Sequence, residues 1–186
     1  RWHAMRDRGA MFPWQSGSNG REETQTTHLN PASGRWIPDR SHRQRHVNAA
    51  IAYNVWSHYR ITGNHGFMSV FGAEILLEIA RFWASAAHYN PDRGRYEIHG
   101  VMGPDEYHDG YPDSHEPGLR NNAYTNVMVA WIMGVTLRAF DELLEYRRQE
   151  LRESLRLDDS ELSLWADMNH KMFVPFHDEG IISQFE

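Results

Sequence analysis

The densest cluster of residues able to do acid–base chemistry is Gly-Pro-Asp-Glu-Tyr-His-Asp at residues 103–109. Gly103 allows a tight backbone and Pro104 stiffens the turn. In a partly buried loop, repulsion between carboxylates together with desolvation would raise the pKa of one carboxyl group. A carboxylic acid that stays protonated near neutral pH can donate a proton to a leaving oxygen. The alternative is a solvated acidic turn, which composition alone favours.

A second polar cluster is Arg-Asn-Asn-Ala-Tyr-Thr-Asn at residues 120–126. Asn122 stands where a helix would begin, so it is a candidate N-cap residue. That role accounts for one asparagine of three. The other amides are candidates for binding sugar hydroxyls or for bracing the acidic loop, and both interpretations stay open.

A third cluster joins Phe-Pro-Trp-Gln-Ser at residues 12–16 to Gly-Arg-Glu-Glu at residues 20–23. A sugar site needs a flat apolar wall beside directed polar groups, which Trp14, Gln15 and Glu23 would supply. Trp36, within Gly34–Pro38, is a similar candidate. The alternative for each tryptophan is a core residue beside an exposed polar loop.

His42 and His46 are four residues apart, a spacing that suits a metal ion if both lie on one helix. No third ligand stands at a helpful spacing, and Arg43 and Arg45 flank the pair. A metal site is therefore the minor interpretation. Without any cysteine, thiolate metal sites, disulfides and a cysteine nucleophile are excluded.

Composition limits the class of protein. The 186 residues are 40% apolar and 12% aromatic, which suits one domain, or a piece of a larger one, with a real core rather than a disordered chain. The formal net charge of −6 lacks the basic footprint of a nucleic-acid-binding protein. No stretch approaches eighteen apolar residues, so we expect no membrane span.

Apolar spacing predicts amphipathic helices over residues 46–61, 67–88, 123–148 and about 160–172. The first is expected to bury the face that carries Val47, Ile51, Val55 and Tyr59 and to stop at Thr62–Asn64, and the second is expected to be deeply buried. Residues 95–101 alternate and predict a short strand, and residues 173–176 and 181–182 suggest short extended pieces. Residues 11–45 and 102–121 show no period and are expected to be long loops, which are often functional. The predicted fold is mainly α, with hairpin following hairpin as in a toroid of helices.

The ordered motifs together resemble glycoside hydrolase family 65, which holds inverting phosphorylases for maltose, trehalose, kojibiose and nigerose, and acid trehalases. The residues that carry this resemblance are Gly9–Trp14, Gly72–Glu74, Ala80–Trp83, Gly100–His108, Asn121–Asn126 and Ile181–Glu186.

The resemblance implies a partial (α/α)6 barrel with long functional loops and short strands, in which residues 1–186 are an internal fragment of a single catalytic domain. It implies that Glu106 is the general acid. Together with the clusters above, the resemblance implies a set of residues that bind the substrate or brace the site. They are Trp14, Gln15, Glu23, Trp36, His46, Asp105, Tyr107, His108, Asn121 and Asn122. The region of residues 30–45 is expected to shape the acceptor side.

The resemblance further implies inversion at an α-glucosidic bond of a disaccharide, with inorganic phosphate as the attacking co-substrate and no metal or organic cofactor. A family hydrolase, in which a second carboxylate activates water, and a non-catalytic carbohydrate-binding relative are the alternatives. The family pattern places the phosphate-binding residues beyond Glu186, so the isolated chain is expected to be inactive without the rest of its barrel. A homodimer and a cytoplasmic location are also expected, with no nucleic-acid or membrane partner.

Overall fold

The computed structural model describes residues 8–105, 108–178 and 180–186. The helices, which hold just under half of them, are α1 (Val47–Thr62), α2 (His65–Phe67), α3 (Ala73–Ala86), α4 (Ala123–Asp141), α5 (Glu145–Leu155) and α6 (Asp159–Lys171). A π-helical segment, Met68–Gly72, joins α2 to α3. The fold is therefore mainly α, as predicted. No helix among these residues is long and apolar enough to cross a membrane.

Among the described residues, the strands are short and form four separate antiparallel pairs. They are β1 (Thr27–Asn30) with β2 (Arg35–Pro38), β3 (His88–Asn90) with β4 (Arg95–Glu97), β5 (His99–Val101) with β6 (Leu119–Arg120), and β7 (Phe176–His177) with β8 (Ile181–Ile182). Each pair is a separate two-stranded sheet beside the helices, and the described strands do not combine into a common sheet.

Helix α3 is the buried centre of the fold, as its apolar residues predicted. Its residues Leu76, Ile79 and Trp83 are fully buried, and α1, α4 and α6 pack against it. Trp165 of α6 and Ile132 of α4 belong to the same core. The removal of these large side chains from water is the main stabilising term of the fold.

Helix α1 ends as predicted, because Gly63 adopts a left-handed φ of 63° and its N–H bonds the carbonyl of Tyr59. Its buried face matches the expected one only in part, at Tyr59. Ala52 and Trp56 are buried, whereas Ile51 and Val55 pack only at the edge of the core.

Four predicted boundaries were wrong, one of them that of the loop predicted over residues 102–121, which contains β6. The loop predicted over residues 11–45 contains the β1–β2 hairpin, whose four-residue strands are too short to show a period. The helix predicted over 123–148 breaks after Asp141, where the N–H of Leu143 turns back to the carbonyl of Phe140 and buries the leucine. The single strand predicted over 95–101 is divided at buried Ile98 between two hairpins.

Candidate functional site

The acidic loop, residues 103–109, lies in the connection between β5 and β6. Gly118 lies against Gly100 with a φ of 92°, and a Cβ placed there would approach the Gly100 backbone to 2.3–2.6 Å. Only glycine lets the two chains come this close. Above this crossing, the N–H of Gly103 donates to the carbonyl of His108 at 3.3 Å, which closes the loop. The catalytic candidate Glu106 and its neighbour Tyr107 lie outside the described residues.

The segment 184–186 runs across the described ends of this loop. The Gln184 side chain donates to Oδ2 of Asp105 at 3.1 Å. The ring of Phe185 meets the edge of His108, with 5.6 Å between centroids. His108 Nδ1 also lies 3.6 Å from Asp105 Oδ2. Asp105 and His108 therefore lie close together. Gln184 and Phe185, from the sequence motif at 181–186, contact them.

Asn121 braces the hairpin from inside. It is fully buried and adopts a left-handed φ of 51°. Its Oδ1 accepts from the N–H of Ile98 at 3.2 Å and from Nδ2 of Asn126 at 3.2 Å, and its Nδ2 donates to Glu186 Oε2 at 2.7 Å. Asn121 thus ties Ile98, which lies between β4 and β5, to α4 and to Glu186.

Asn122 is the N-cap of α4, which confirms that alternative. Its Oδ1 accepts from the N–H of Thr125 at 3.0 Å. Its Nδ2 donates to the carbonyl of Gln184 at 3.2 Å, and a Cβ at Gly103 would meet this nitrogen at 3.0 Å. One asparagine therefore starts the helix and supports the acidic loop.

A carboxylate holds the turn that carries Trp14 and Gln15. Oε2 of Glu22 accepts from the N–H of Trp14 at 3.1 Å, and Oε1 accepts from the N–H of Gln15 at 3.2 Å. Burial opposes ionisation of Glu22, but its bonds with Thr24, Trp14 and Gln15 outweigh burial and lower its pKa. Sequence reasoning singled out Glu23, which contributes a backbone N–H to the carbonyl of Gln15 at 2.8 Å.

His46 lies between two aromatic rings. Its centroid is 5.4 Å from that of Trp14 and 6.0 Å from that of Tyr124. Burial lowers the pKa of His46, which favours the neutral ring, and its buried Nδ1 has no hydrogen-bond partner among the described residues. His46 immediately precedes α1, while His42 lies in a separate 3-10 turn, Ser41–Arg43. The pair therefore does not share the helix on which the metal hypothesis depended.

A cavity lies beside the acidic loop. Its volume of about 460 Å³ falls within the ~300–1,000 Å³ usual for ligand sites. It opens between the β1–β2 hairpin, the Trp14 turn and the two flanks of the acidic loop. Its lining is Trp14, Gln15, Thr24, Gln25, His28, Pro38, Asp39, Arg40, Ser41, Gln44, Met102 and Asp109. An aromatic face beside amides and charged groups is the arrangement expected for a sugar site.

Asp39 and Arg40 give the cavity its charged wall. Asp39 accepts from the N–H of Ser41 at 2.8 Å and from Gln25 at 3.0 Å, and lies 3.2 Å from His28. Although burial favours the protonated form, the hydrogen bonds to Ser41, Gln25 and His28 lower the pKa of Asp39 to about 2. Arg40 Nη1 donates to the carbonyl of Asp109 at 3.4 Å and lies 3.6 Å from its Oδ2.

Two further contacts fix the cavity wall to the acidic loop. Arg43 donates from Nη1 to the carbonyl of Gly100 at 2.8 Å, and its own carbonyl accepts from the N–H of Met102 at 3.0 Å. Among the sequence candidates, Trp14 and Gln15 line the cavity, whereas Trp36 is 69% exposed on β2 and outside it. The wall residues Asp39 and Arg40 were missed because they follow a hairpin that the sequence did not reveal.

Comparison with known proteins identifies the family. Residues 2–186 match the model of the glycosyl hydrolase family 65 central catalytic domain. An uncharacterized glycosyl hydrolase of Mycobacterium tuberculosis is 53% identical over 96% of this chain and 13% of its own length. Trehalose 6-phosphate phosphorylase of Lactococcus lactis is 44% identical over 83% of this chain and 21% of its own. Kojibiose phosphorylase of Caldanaerobacter subterraneus is 36% identical over 96% and 23%.

A solved structure named as a kojibiose phosphorylase from the human microbiome superposes with a TM-score of 0.74. It is 24% identical and covers 96% of this chain and 22% of that one, so it supports the fold alone. The chain spans less than a quarter of the length of these relatives. The family match over residues 2–186 and these relatives together show that the chain belongs to glycosyl hydrolase family 65.

Proposed function

We propose that the full-length protein carrying this chain cleaves the α-glucosidic bond of a disaccharide with inversion, by phosphorolysis to β-glucose 1-phosphate. Membership of the family supports the general kind of reaction. Three relatives are named as phosphorylases of trehalose 6-phosphate, kojibiose and maltose. Their names favour phosphate over water as the attacking group.

The observation that carries this proposal is the cavity beside the acidic loop. Trp14 and Gln15 line one side, and Met102 and Asp109, which flank the loop, line another. The family motif puts Glu106 between these two flanks in the sequence. We therefore assign Glu106 as the general acid, with Asp105, Tyr107 and His108 supporting it.

The proposed reaction needs one proton donor from the protein. Glu106 gives its proton to the glycosidic oxygen while the bond from that oxygen to the sugar C1 breaks. A phosphate oxygen forms the new bond to C1 from the opposite face of an oxocarbenium-like transition state. The acceptor sugar leaves with the proton from Glu106, and the attacking phosphate or solvent returns a proton to the carboxylate. This chemistry requires no metal or organic cofactor.

The remaining candidates have different proposed roles. Trp14 and Gln15 contact the sugar, and His46 fixes the angle of Trp14 through its ring contact. Asn121 and Asn122 brace the loop through their hydrogen bonds. Glu23 and Trp36 lie outside the cavity lining, so we propose for them only a part in shaping the acceptor side.

We also propose that residues 1–186 form part of one (α/α)6 catalytic domain and need the rest of that domain for activity. Val70 and Phe71, adjacent in the π-helical segment and lining the same cavity, are 54% and 61% exposed. Contiguous exposed apolar surface marks a face that interacts with other structure. We expect the covering elements to be the remaining helices of the barrel, with a homodimer as a further level of assembly. The phosphorylated product favours a cytoplasmic location.

The test uses the full-length protein with trehalose, trehalose 6-phosphate, maltose, kojibiose and nigerose, each with and without inorganic phosphate. We expect phosphate-dependent β-glucose 1-phosphate from at least one substrate. Free glucose formed without phosphate would show a hydrolase instead. Carbohydrate binding without any product would favour the non-catalytic alternative.

A further inference from the structure

A second cluster of chemically able side chains lies on the β3–β4 hairpin, away from the cavity lining. His88 and Glu97 are directly opposite each other across the antiparallel pair. His99 follows Glu97 by two residues, and alternate residues of an extended chain point to the same side. The two imidazoles and the carboxylate therefore converge, and among the described residues these three form a group with metal-ligand spacing.

The distances within the cluster suit a metal ion of zinc size. Nε2 of His88 lies 3.4 Å from Oε2 of Glu97, and Nε2 of His99 lies 3.1 Å from the same oxygen. All three atoms lie within 4.8 Å of one another. Tetrahedral zinc, with bonds of about 2.0–2.1 Å, separates neighbouring ligand atoms by roughly 3.3 Å. The two distances to Glu97 match this value, and the separation between the histidine ligand atoms, at most 4.8 Å, must come close to it when an ion binds.

The two oxygens of the Glu97 carboxylate have different surroundings. Oε1 accepts from Nδ2 of Asn90 at 2.9 Å and pairs with Nη1 of Arg93 at 3.2 Å. Oε2 faces only the two histidine nitrogens among the partners given by the described residues. Outer hydrogen bonds of this kind orient a metal-ligating carboxylate and leave its other oxygen for the ion.

The three side chains of the cluster also differ in burial, in a way that suits a metal site. The Glu97 side chain is only 4% exposed, while those of His88 and His99 are 51% and 39% exposed. The carboxylate is therefore fixed from the protein side, and the histidines close the site from the solvent side. An ion can enter without unfolding the hairpin.

We propose that His88, Glu97 and His99 bind a divalent transition metal of the zinc type, with water completing the coordination. Imidazole and carboxylate ligands suit Zn²⁺ and its neighbours in the first transition row. The ion would join β3–β4 to His99, the first residue of β5, and β5 leads into the acidic loop. Its role is structural, because all three ligands lie outside the cavity lining.

The test is metal binding by the untagged full-length protein. After removal of metal with a chelator, Co²⁺ is titrated in at pH 7.5, visible absorption is recorded, and Zn²⁺ is then added as a competitor. We expect a saturable signal that Zn²⁺ displaces. His88→Gln and His99→Gln should each abolish it. His170→Gln, which alters an exposed histidine of α6, should leave it unchanged.

A further variant tests the orientation argument with all three ligands intact. Asn90→Ala removes the hydrogen bond to Oε1, so we expect Co²⁺ and Zn²⁺ affinity to fall about 10–100-fold. Circular dichroism checks that each variant is folded. No saturable signal in the wild-type protein, or an unchanged signal in folded His88→Gln and His99→Gln, would overturn the proposal. Either result would mean that the histidines only pair with Glu97, and neither depends on the sugar reaction.

Discussion

Replacing Asn121 with alanine should loosen the base of the acidic loop. Asn121 makes three side-chain hydrogen bonds, two at 3.2 Å and one to the Glu186 carboxylate at 2.7 Å. A neutral hydrogen bond contributes about 1 kcal/mol and one to a charged group about 1.5–3 kcal/mol. The sum, roughly 3.5–5 kcal/mol, is an upper range because the contributions of neighbouring bonds are not additive.

The assay is amide hydrogen exchange of the full-length protein, followed by mass spectrometry. The N–H of Ile98 loses its acceptor in Asn121→Ala, so its local opening should become easier by about 2.8 kcal/mol, below that upper range. That corresponds to roughly 100-fold faster exchange, since each 1.4 kcal/mol is a factor of ten. Asn54→Ala, on the exposed face of α1, is the matched control and should leave exchange at Ile98 unchanged.

Asn121→Gly separates the side-chain bonds from the backbone conformation. Glycine adopts the left-handed φ of 51° without difficulty, yet it loses the same three bonds. We expect Asn121→Gly to exchange nearly as fast as Asn121→Ala. If Ile98 in Asn121→Gly exchanged as slowly as in the wild type, the bracing role of the side chain would be refuted.

Three further predictions concern the cavity and its support. Gly118→Ala should lower the unfolding temperature of the full-length protein far more than Gly34→Ala. Both glycines have a positive φ, but of the two only Gly118 has other backbone within 4 Å of an added Cβ. Equal unfolding temperatures for the two variants would contradict the packing argument. Trp14→Ala should raise KM for the disaccharide about 10-fold, or 1.4 kcal/mol, whereas Tyr146→Ala, at an exposed aromatic residue of α5 outside the cavity lining, should change it little; equal effects would remove Trp14 from the sugar site. The pKa of Asp39 falls to about 2 from the 3.8 of an unperturbed aspartate, so the ionised side chain stabilises the fold above pH 4, and this stabilisation is lost as pH falls towards 2. The difference in urea stability between wild type and Asp39→Asn should therefore shrink over that window, whereas a difference independent of pH would contradict the assignment.

The helices were predictable because long amphipathic segments repeat their pattern over several turns. The N-cap role of Asn122 and the stop at Gly63 were likewise visible in residue type and position. The break between α4 and α5 was not visible. No glycine or proline marks residues 142–144, and the chain turns there because buried Leu143 packs into the core.

The candidate site was predictable in part. Trp14 and Gln15 were chosen for their chemistry, and they line the cavity. Glu22 was passed over for Glu23 because adjacent glutamates cannot be ranked by composition, whereas the structure gives Glu22 the bonds to the Trp14 turn. Asp39 entered no prediction because its role depends on a hairpin fold that brings Gln25 and His28 to it.

The most direct test of the central claim is the Glu106→Gln variant of the full-length protein. Two substrates are compared in the presence of phosphate: the disaccharide found by the substrate panel, and α-glucosyl fluoride, whose leaving group needs little protonation. Glu116→Gln, an exposed glutamate of the following loop, is the control. We predict that Glu106→Gln loses at least about 100-fold in kcat on the disaccharide, as expected for a general acid, but keeps most activity on the fluoride. Full activity on the disaccharide, or equal loss on both substrates in a folded variant, would contradict the assignment of Glu106 as the acid.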